Sequence, residues 1–315
     1  MIVVGGEALV DLVPVQAPSG ESTVDGGVGP LLPTLGGGPY NVALAAGRLG
    51  AATSFLCRIS RDRFGEGLME RLHASGVDTA LVQRGDEPTT LAVVALDESG
   101  SAHYTFYTEG TADRLVSDPG PLPEEVTALS LGTLGMVLEP GASAYEAMLR
   151  RESARGVLTA LDPNIRAMLI DDPAAYRARF ASWLPDVRLL KLSDDDAEWL
   201  AEGADADEAA KTWLESGVDA VVLTRGAEGV SVRTSALSVS VPPGRAEVAD
   251  TIGAGDTVQG ALLAWLDKRA VTDLGSLSES DWREALGYAA KAAGITVSRV
   301  GAEPPTEAEL ETYWT

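Results

Sequence analysis

Residues 249–265 read ADTIGAGDTVQGALLAW. Three small residues, Gly253-Ala254-Gly255, stand directly before an acid, Asp256, and the chain then runs into an apolar helical pattern. Glycine permits positive φ and close approach of the backbone. The first amides of a helix have no acceptor within it, and the helix dipole adds positive character at the same end. A small-residue turn that opens a helix is therefore a cradle for an anion. Asp256 is either a cap of that helix or a base held beside the cradle. The rest of the chain decides between them.

Around this turn the chain alternates between strand and helix signals. Strands are expected at 127–131, 157–161, 187–191 and 219–224, and helices at 142–154, 173–182, 194–201 and 206–215. Two more helices are expected at 257–268 and 282–299. Upstream, Ile2–Val4, Ala8–Val15 and Thr53–Cys57 read as strands, and Pro39–Leu49 and Phe64–Ala74 as helices. Residues 16–36, rich in Pro, Gly and Ser, read as a loop. Thr89–Leu96 and Ala102–Tyr107 flank the turn residues Asp97-Glu98-Ser99-Gly100, which is a hairpin signal. In its second strand Tyr104, Phe106 and Thr108 share one face, and Thr105 and Tyr107 the other. The whole implies an α/β fold: a central, mostly parallel sheet flanked by helices, with the hairpin as a small β lid or second sheet. Ligands of such sheets sit outside the carboxyl ends of the strands. That directs attention to the loops at 5–11, 36–41, 162–166, 193–196, 224–229 and 249–256.

Composition narrows the chemistry. The 315 residues carry a formal charge of −23, from 47 acids against 24 bases. Nucleic acids and anionic membranes call for a basic footprint, so neither is an expected partner. A small phosphorylated ligand remains compatible, because backbone amides can hold an anion inside an acidic protein. The single cysteine, Cys57, leaves no internal disulfide, and His73 and His103 are too few for a His-rich metal site. The N-terminus, MIVVGGEALV, reads as a first strand without a basic leader, and no stretch reaches the roughly 18 apolar residues of a membrane span, so the expected location is the cytoplasm. Neither G-x-x-x-x-G-K-[ST] nor a G-x-G-x-x-G after the first strand occurs, which argues against a P-loop kinase and a dinucleotide dehydrogenase.

The motif DTIGAGD at 250–256 resembles the C-terminal signature of the ribokinase-like, or phosphofructokinase-B type, carbohydrate kinases. GGGPYNVA at 36–43 resembles the sugar-binding motif of the same family. Further similar strings follow in family order: GEALVD at 6–11, FG at 64–65, PTTLA at 88–92, DPNIR at 162–166, KLSDDD at 191–196, TRGAEG at 224–229 and SRVGA at 298–302. The resemblance spans essentially the whole chain. GEALVDL, PTTLAVVALD and DPNIR are most similar to the fructokinase branch.

The resemblance implies one ribokinase-like kinase domain over 1–315, with lid segments at about 9–35 and 88–110. It implies ATP and magnesium as cofactors, a small sugar as partner, and phosphoryl transfer to the 6-hydroxyl of fructose. By the same resemblance Asp256 is the catalytic base and the backbone of Gly253, Ala254 and Gly255 the anion hole. Asp11, Gly37, Asn41, Phe106 and Arg166 would meet the sugar. Lys191, Ser193, Thr224, Gly226 and Gly229 would meet the nucleotide. Asp196 falls where the family associates an acid with magnesium, but Ser and Asp replace the usual Asn and Glu. Magnesium contact, direct or through water, and a plain helix cap are both open for it. Asp250 marks the family's monovalent cation site, so potassium is a further expected ion. Ala290 stands where relatives often carry Asn beside adenine, so base contact here is apolar or through backbone. Lids of this kind often pair between subunits, which makes a homodimer the expected assembly. The rival substrate is 2-keto-3-deoxygluconate; Thr108-Glu109-Gly110 places no base after Tyr107 for its carboxylate, whereas Arg166 remains available. A non-catalytic sugar sensor is the rival outside enzymes, and the intact Asp256 and glycine turn speak against it.

Overall fold

The computed structural model describes residues 1–15, 29–96 and 102–313. Eight strands form the main sheet, in the order Ser238–Val241, Val230–Thr234, Ala220–Thr224, Leu189–Ser193, Leu158–Asp162, Ala128–Gly132, Ile2–Gly5 and Thr53–Leu56. From Ala220–Thr224 to Thr53–Leu56 all neighbours are parallel, and the two strands at the other edge join antiparallel. The parallel strands are buried on both faces, which explains their near-continuous Val, Leu and Ala runs.

Alternate side chains feed two separate cores. Val4, Ala160 and Val222 face the helices Gly38–Arg48, Ala254–Lys268 and Glu279–Val297, where Trp265 and Trp282 are buried. Val3, Leu161 and Val221 face Gly141–Ala154, Pro173–Trp183 and Ala206–Glu215, where Tyr145, Trp183 and Trp213 pack. Burying an aromatic or leucine side chain stabilises by roughly 1.5–3 kcal/mol, so these two layers hold the strand ends, and therefore the loops, in place.

The small sheet has the order Leu31–Gly36, Leu9–Pro14, Thr90–Leu96, Ala102–Tyr107. Its last two strands pair antiparallel, as the hairpin pattern predicts; the connecting turn 97–100 lies outside the described residues. One expectation is corrected here. Within 16–36, read from sequence as a loop, Leu31–Gly36 is a strand paired antiparallel with Leu9–Pro14, and residues 16–28 lie outside the described residues. Pro33 masked it, yet the strand is at the sheet edge, where proline is tolerated. The strand expected at Ala8–Val15 spans Leu9–Pro14 and belongs to this small sheet. Val230–Thr234 and Ser238–Val241 went unread from sequence, as did the short helix Glu307–Thr312. The helix expected at 257–268 starts three residues earlier, at Ala254. That shift puts Asp256 inside its first turn.

Candidate active site

Gly253 is the N-cap of helix Ala254–Lys268 and adopts φ 76, the left-handed conformation. A Cβ on it would lie 2.6 Å from the Cβ of Ala302, so only glycine turns the chain here. The Ala254 amide bonds the Thr251 carbonyl at 3.3 Å and the Thr257 amide returns to Gly253 at 2.8 Å. The amides of Gly255 and Asp256 lie between them, in the turn whose N–H groups have no acceptor in the helix.

Two cavities meet at this turn. The first, about 280 Å³, is lined by Asp11, Gly37, Asn41, Phe106, Arg166 and Asp256, among others. The second, about 480 Å³, is lined by Thr224, Gly226 and Gly229 and by the apolar Val248, Ala290 and Val297, among others. Thr251 and Gly255 border both. Every residue expected at the sugar is thus in one cavity, and the loop expected at the nucleotide, with Ala290, is in the other.

Asn41, on the first turn of helix Gly38–Arg48, donates from Nδ2 to Oδ2 of Asp256 at 2.9 Å. Burial pushes the Asp256 carboxyl above the usual range, while Lys191, the Asn41 bond and Arg166 pull it back. The result is a carboxylate of increased basicity, the setting a general base needs. Asp11 sits on strand Leu9–Pro14 of the small sheet. Burial raises it to about 6, against the opposing pull of Arg166. Arg166 is anchored at the turn by its own loop, donating to the carbonyl oxygens of Asn164 and Ile165, each at 3.1 Å. Tyr104 and Phe106 stack at 6.0 Å between centroids and 19° between planes, and both line the first cavity.

Lys191 lies elsewhere than its expected nucleotide partners. It lines the first cavity, buried, with Nζ 2.7 Å from Oδ2 of Asp162. A Cβ on Gly255 would stand 2.9 Å from that Nζ, so the ammonium lies directly under the anion cradle. Burial disfavours its charge, but Asp162, Asp256 and Asp196 outweigh this and hold it protonated.

Ser193 and Asp196 form a capping box at the start of helix Asp194–Leu200 and line neither cavity. Oδ2 of Asp196 accepts from the Ser193 amide and hydroxyl, and Oδ1 from the Ile165 amide at 2.7 Å. The acid therefore ties the 193 loop to the loop that carries Arg166. Asp250 bridges two loops in a similar way, accepting from Ile252 at 3.0 Å and from Gly301 at 2.9 Å. Sequence reading missed Glu7, Thr133 and Asn164, which also line the first cavity. Glu7 stood inside a quoted motif, and its burial was the signal that sequence could not give.

Residues 1–309 match the family described as pfkB family carbohydrate kinase. The chain belongs to the pfkB family of carbohydrate kinases. A fructokinase of Rhizobium leguminosarum bv. trifolii is 40% identical over 268 residues, 84% of this chain and 79% of that relative. Fructokinase-2 of Zea mays is 32% identical over 319 residues, 99% of this chain and 93% of that relative. Among solved structures, the fructokinase of Xylella fastidiosa with bound ATP has a TM-score of 0.87 at 27% identity, covering 99% of this chain and 97% of that one. The fold is therefore ribokinase-like, and the enzyme is a kinase that transfers phosphate to a sugar hydroxyl. Among the described residues no helix is long and apolar enough to cross a membrane.

Proposed function

We infer that the protein is an ATP-dependent fructokinase acting on the 6-hydroxyl of fructose. The observation that carries this is the meeting of the two cavities at the glycine turn, with Asp256 on the sugar side. ATP in the apolar cavity would send its γ-phosphate toward Gly255, and the sugar hydroxyl would approach from the other side, beside Asp256. Asp256 takes the hydroxyl proton as the oxygen attacks phosphorus, and the bond to the bridging oxygen of ADP breaks. The amides of the first turn, with Lys191 beneath them, stabilise the charge spread over the transferring group.

A divalent cation would enter with the nucleotide, on its phosphates. Among the described residues no group of three or more His, Cys, Asp or Glu side chains is arranged to hold a metal. Magnesium bound with the nucleotide would neutralise the charge of its phosphates. Asp196, with both oxygens engaged and lining neither cavity, serves as the helix cap that holds the Arg166 loop. The Asp250 loops are the place for potassium, and turnover in potassium against sodium or choline chloride tests that.

A neutral sugar suits the first cavity. Of its lining cations Lys191 is paired with Asp162, which leaves Arg166 as the group for a carboxylate. Coupled turnover with fructose, ribose, adenosine and 2-keto-3-deoxygluconate decides the substrate. Preference for fructose supports the reading; preference for the keto-acid keeps the kinase and transfers the role of Arg166 to its carboxylate. The lid presents Leu32 and Tyr107 about 60% exposed (59% and 60%). We assign this face to pairing with the lid of a second copy in a cytoplasmic homodimer, which sedimentation of wild type against Tyr107→Glu tests.

A further inference from the structure

Behind the sugar cavity lies a second acid pair that the transfer mechanism does not use. Glu7, 3% exposed, stands between strands Ile2–Gly5 and Leu9–Pro14. Its Oε1 accepts from the Gly38 amide and its Oε2 from the Gly135 amide, each at 3.1 Å. Gly38 is the first residue of the helix that carries Asn41. Glu7 thus holds the sugar loop by its backbone.

Asp113, 5% exposed, follows the lid. Its Oδ1 accepts from the Thr90 hydroxyl at 2.5 Å, the Thr111 hydroxyl at 3.2 Å and the Arg114 amide at 2.9 Å. Thr90 opens a lid strand, so Asp113 holds the lid root. Its Oδ2 is buried and has no hydrogen-bond partner among the described residues. Glu7 and Asp113 line one cavity of about 10 Å³, the size of a single water.

Few other groups can satisfy that oxygen. The Arg114 guanidinium turns away to Glu109 at 2.9 Å and to the Glu139 carbonyl. The Tyr145 hydroxyl is committed to the carbonyls of Gly6 and Leu56. Cys57 is buried and its thiol pushed up, so it stays neutral. On the far side of Glu7, Asp11 and Asp256 add negative charge to the sugar cavity against Arg166 and the paired Lys191. A buried acceptor left without a donor is costly, and two close buried carboxylates do not both ionise readily.

We propose that Glu7 is a positioning residue for the sugar site: as a carboxylic acid it shares one proton with Asp113, directly or through one water, and so clamps the sugar loop to the lid root. The proton fills the vacant place on Oδ2 of Asp113 and leaves both Glu7 oxygens able to accept from the backbone. Burial, with Asp113 adding to it, raises Glu7 to about 8, in keeping with a proton retained at neutral pH. Loss of the proton sets two charges against each other and loosens the lid root from the sugar loop. The inference rests on the sugar-kinase reading of the same cavity.

Asp113→Asn is the discriminating variant, since its carboxamide keeps the Oδ1 bonds and supplies a donor to Glu7 in place of the proton. In wild type KM for fructose is expected to rise roughly tenfold between about pH 7 and about pH 9.5 with kcat little changed. Asp113→Asn is expected to flatten that limb and to match wild type at neutral pH. Infrared spectra of the substrate-free protein with glutamate-selective ¹³C labelling give a test independent of turnover. A protonated glutamic carbonyl band is expected at neutral pH, lost with an apparent midpoint near 8 and absent from Glu7→Gln. No such band in wild type, or an unchanged alkaline limb in Asp113→Asn, overturns the shared proton. Turnover with no sugar while the band is present would instead count against the kinase reading alone.

Discussion

Asn41 and Asp256, 215 residues apart in the chain, meet in a buried hydrogen bond of 2.9 Å. It joins the first turns of two helices and holds the Asp256 carboxylate at the cavity proposed for the sugar. A bond to a charged group contributes roughly 1.5–3 kcal/mol. Asn41→Ala is expected to lower kcat/KM for fructose by about 10- to 100-fold. Asn41→Asp sets a like charge beside Asp256 and raises its pKa further, so the acid limb of kcat moves to higher pH. A pH–kcat profile of the three proteins checks both, and an unmoved limb in Asn41→Asp would separate Asp256 from that limb.

If Asp256 is the base proposed, Asp256→Asn removes that base and little else, because Asn fills the same volume at the same helix turn. Turnover is expected to fall by roughly 10²- to 10⁴-fold. Calorimetric binding of fructose and the melting temperature should remain close to wild type. Wild-type-like turnover would show that another group takes the proton.

The twin helix-flanked layers were legible because periodicity reports burial directly. The turn at Gly253 was legible from its small residues running into an apolar helix, whereas the turn alone left Asp256 open between cap and base, and its assignment came from the resemblance of 250–256 to the family signature. Strand Leu31–Gly36 was hidden by Pro33, whose edge position cannot be read from one strand. Lys191 was assigned from its place in a motif, and the register of Leu189–Ser193 against Leu158–Asp162 is what turns it toward Asp162 and the sugar side. Burial of this kind is set by the partner strand, so local sequence is silent about it. Asp196 shows the same limit, since a capping box and a metal acid share one sequence pattern.

Gly253 carries a prediction about backbone. Its φ of 76 and the 2.6 Å approach to Ala302 leave a methyl group no room. Gly253→Ala is expected to cost about 1–2 kcal/mol from the left-handed conformation, with the clash adding to it. Turnover should fall further than stability, because displaced amides lose the developing charge. Denaturant unfolding beside steady-state kinetics measures the two effects; equal, small changes would mean that the turn holds nothing.

Asp11 gives the acid side of the sugar profile. Its carboxyl is raised to about 6 by burial, so it is ionised above that pH and protonated below it. An ionised carboxylate accepts two sugar hydroxyls, whereas the acid keeps a proton of its own in the site. Fructose KM should therefore rise as pH falls through about 6, while kcat follows Asp256. Asp11→Asn should hold KM high at every pH and remove its acid limb. Persistence of the KM limb in that variant would assign it to another group.

The donor cavity makes the last prediction. Ala290, Ala293, Val248 and Val297 line the cavity proposed for ATP, and none of them offers a side-chain donor or acceptor. An apolar pocket discriminates between similar ligands by only about 10- to 200-fold, whereas a site built around buried hydrogen bonds reaches about 10⁴ or more. ATP should be preferred over GTP by no more than about 100-fold in kcat/KM, with the difference mainly in KM. Parallel kinetics with the two nucleotides at saturating fructose check this. A ratio above about 10⁴ would mean that backbone groups read the base edge as strictly as side chains do.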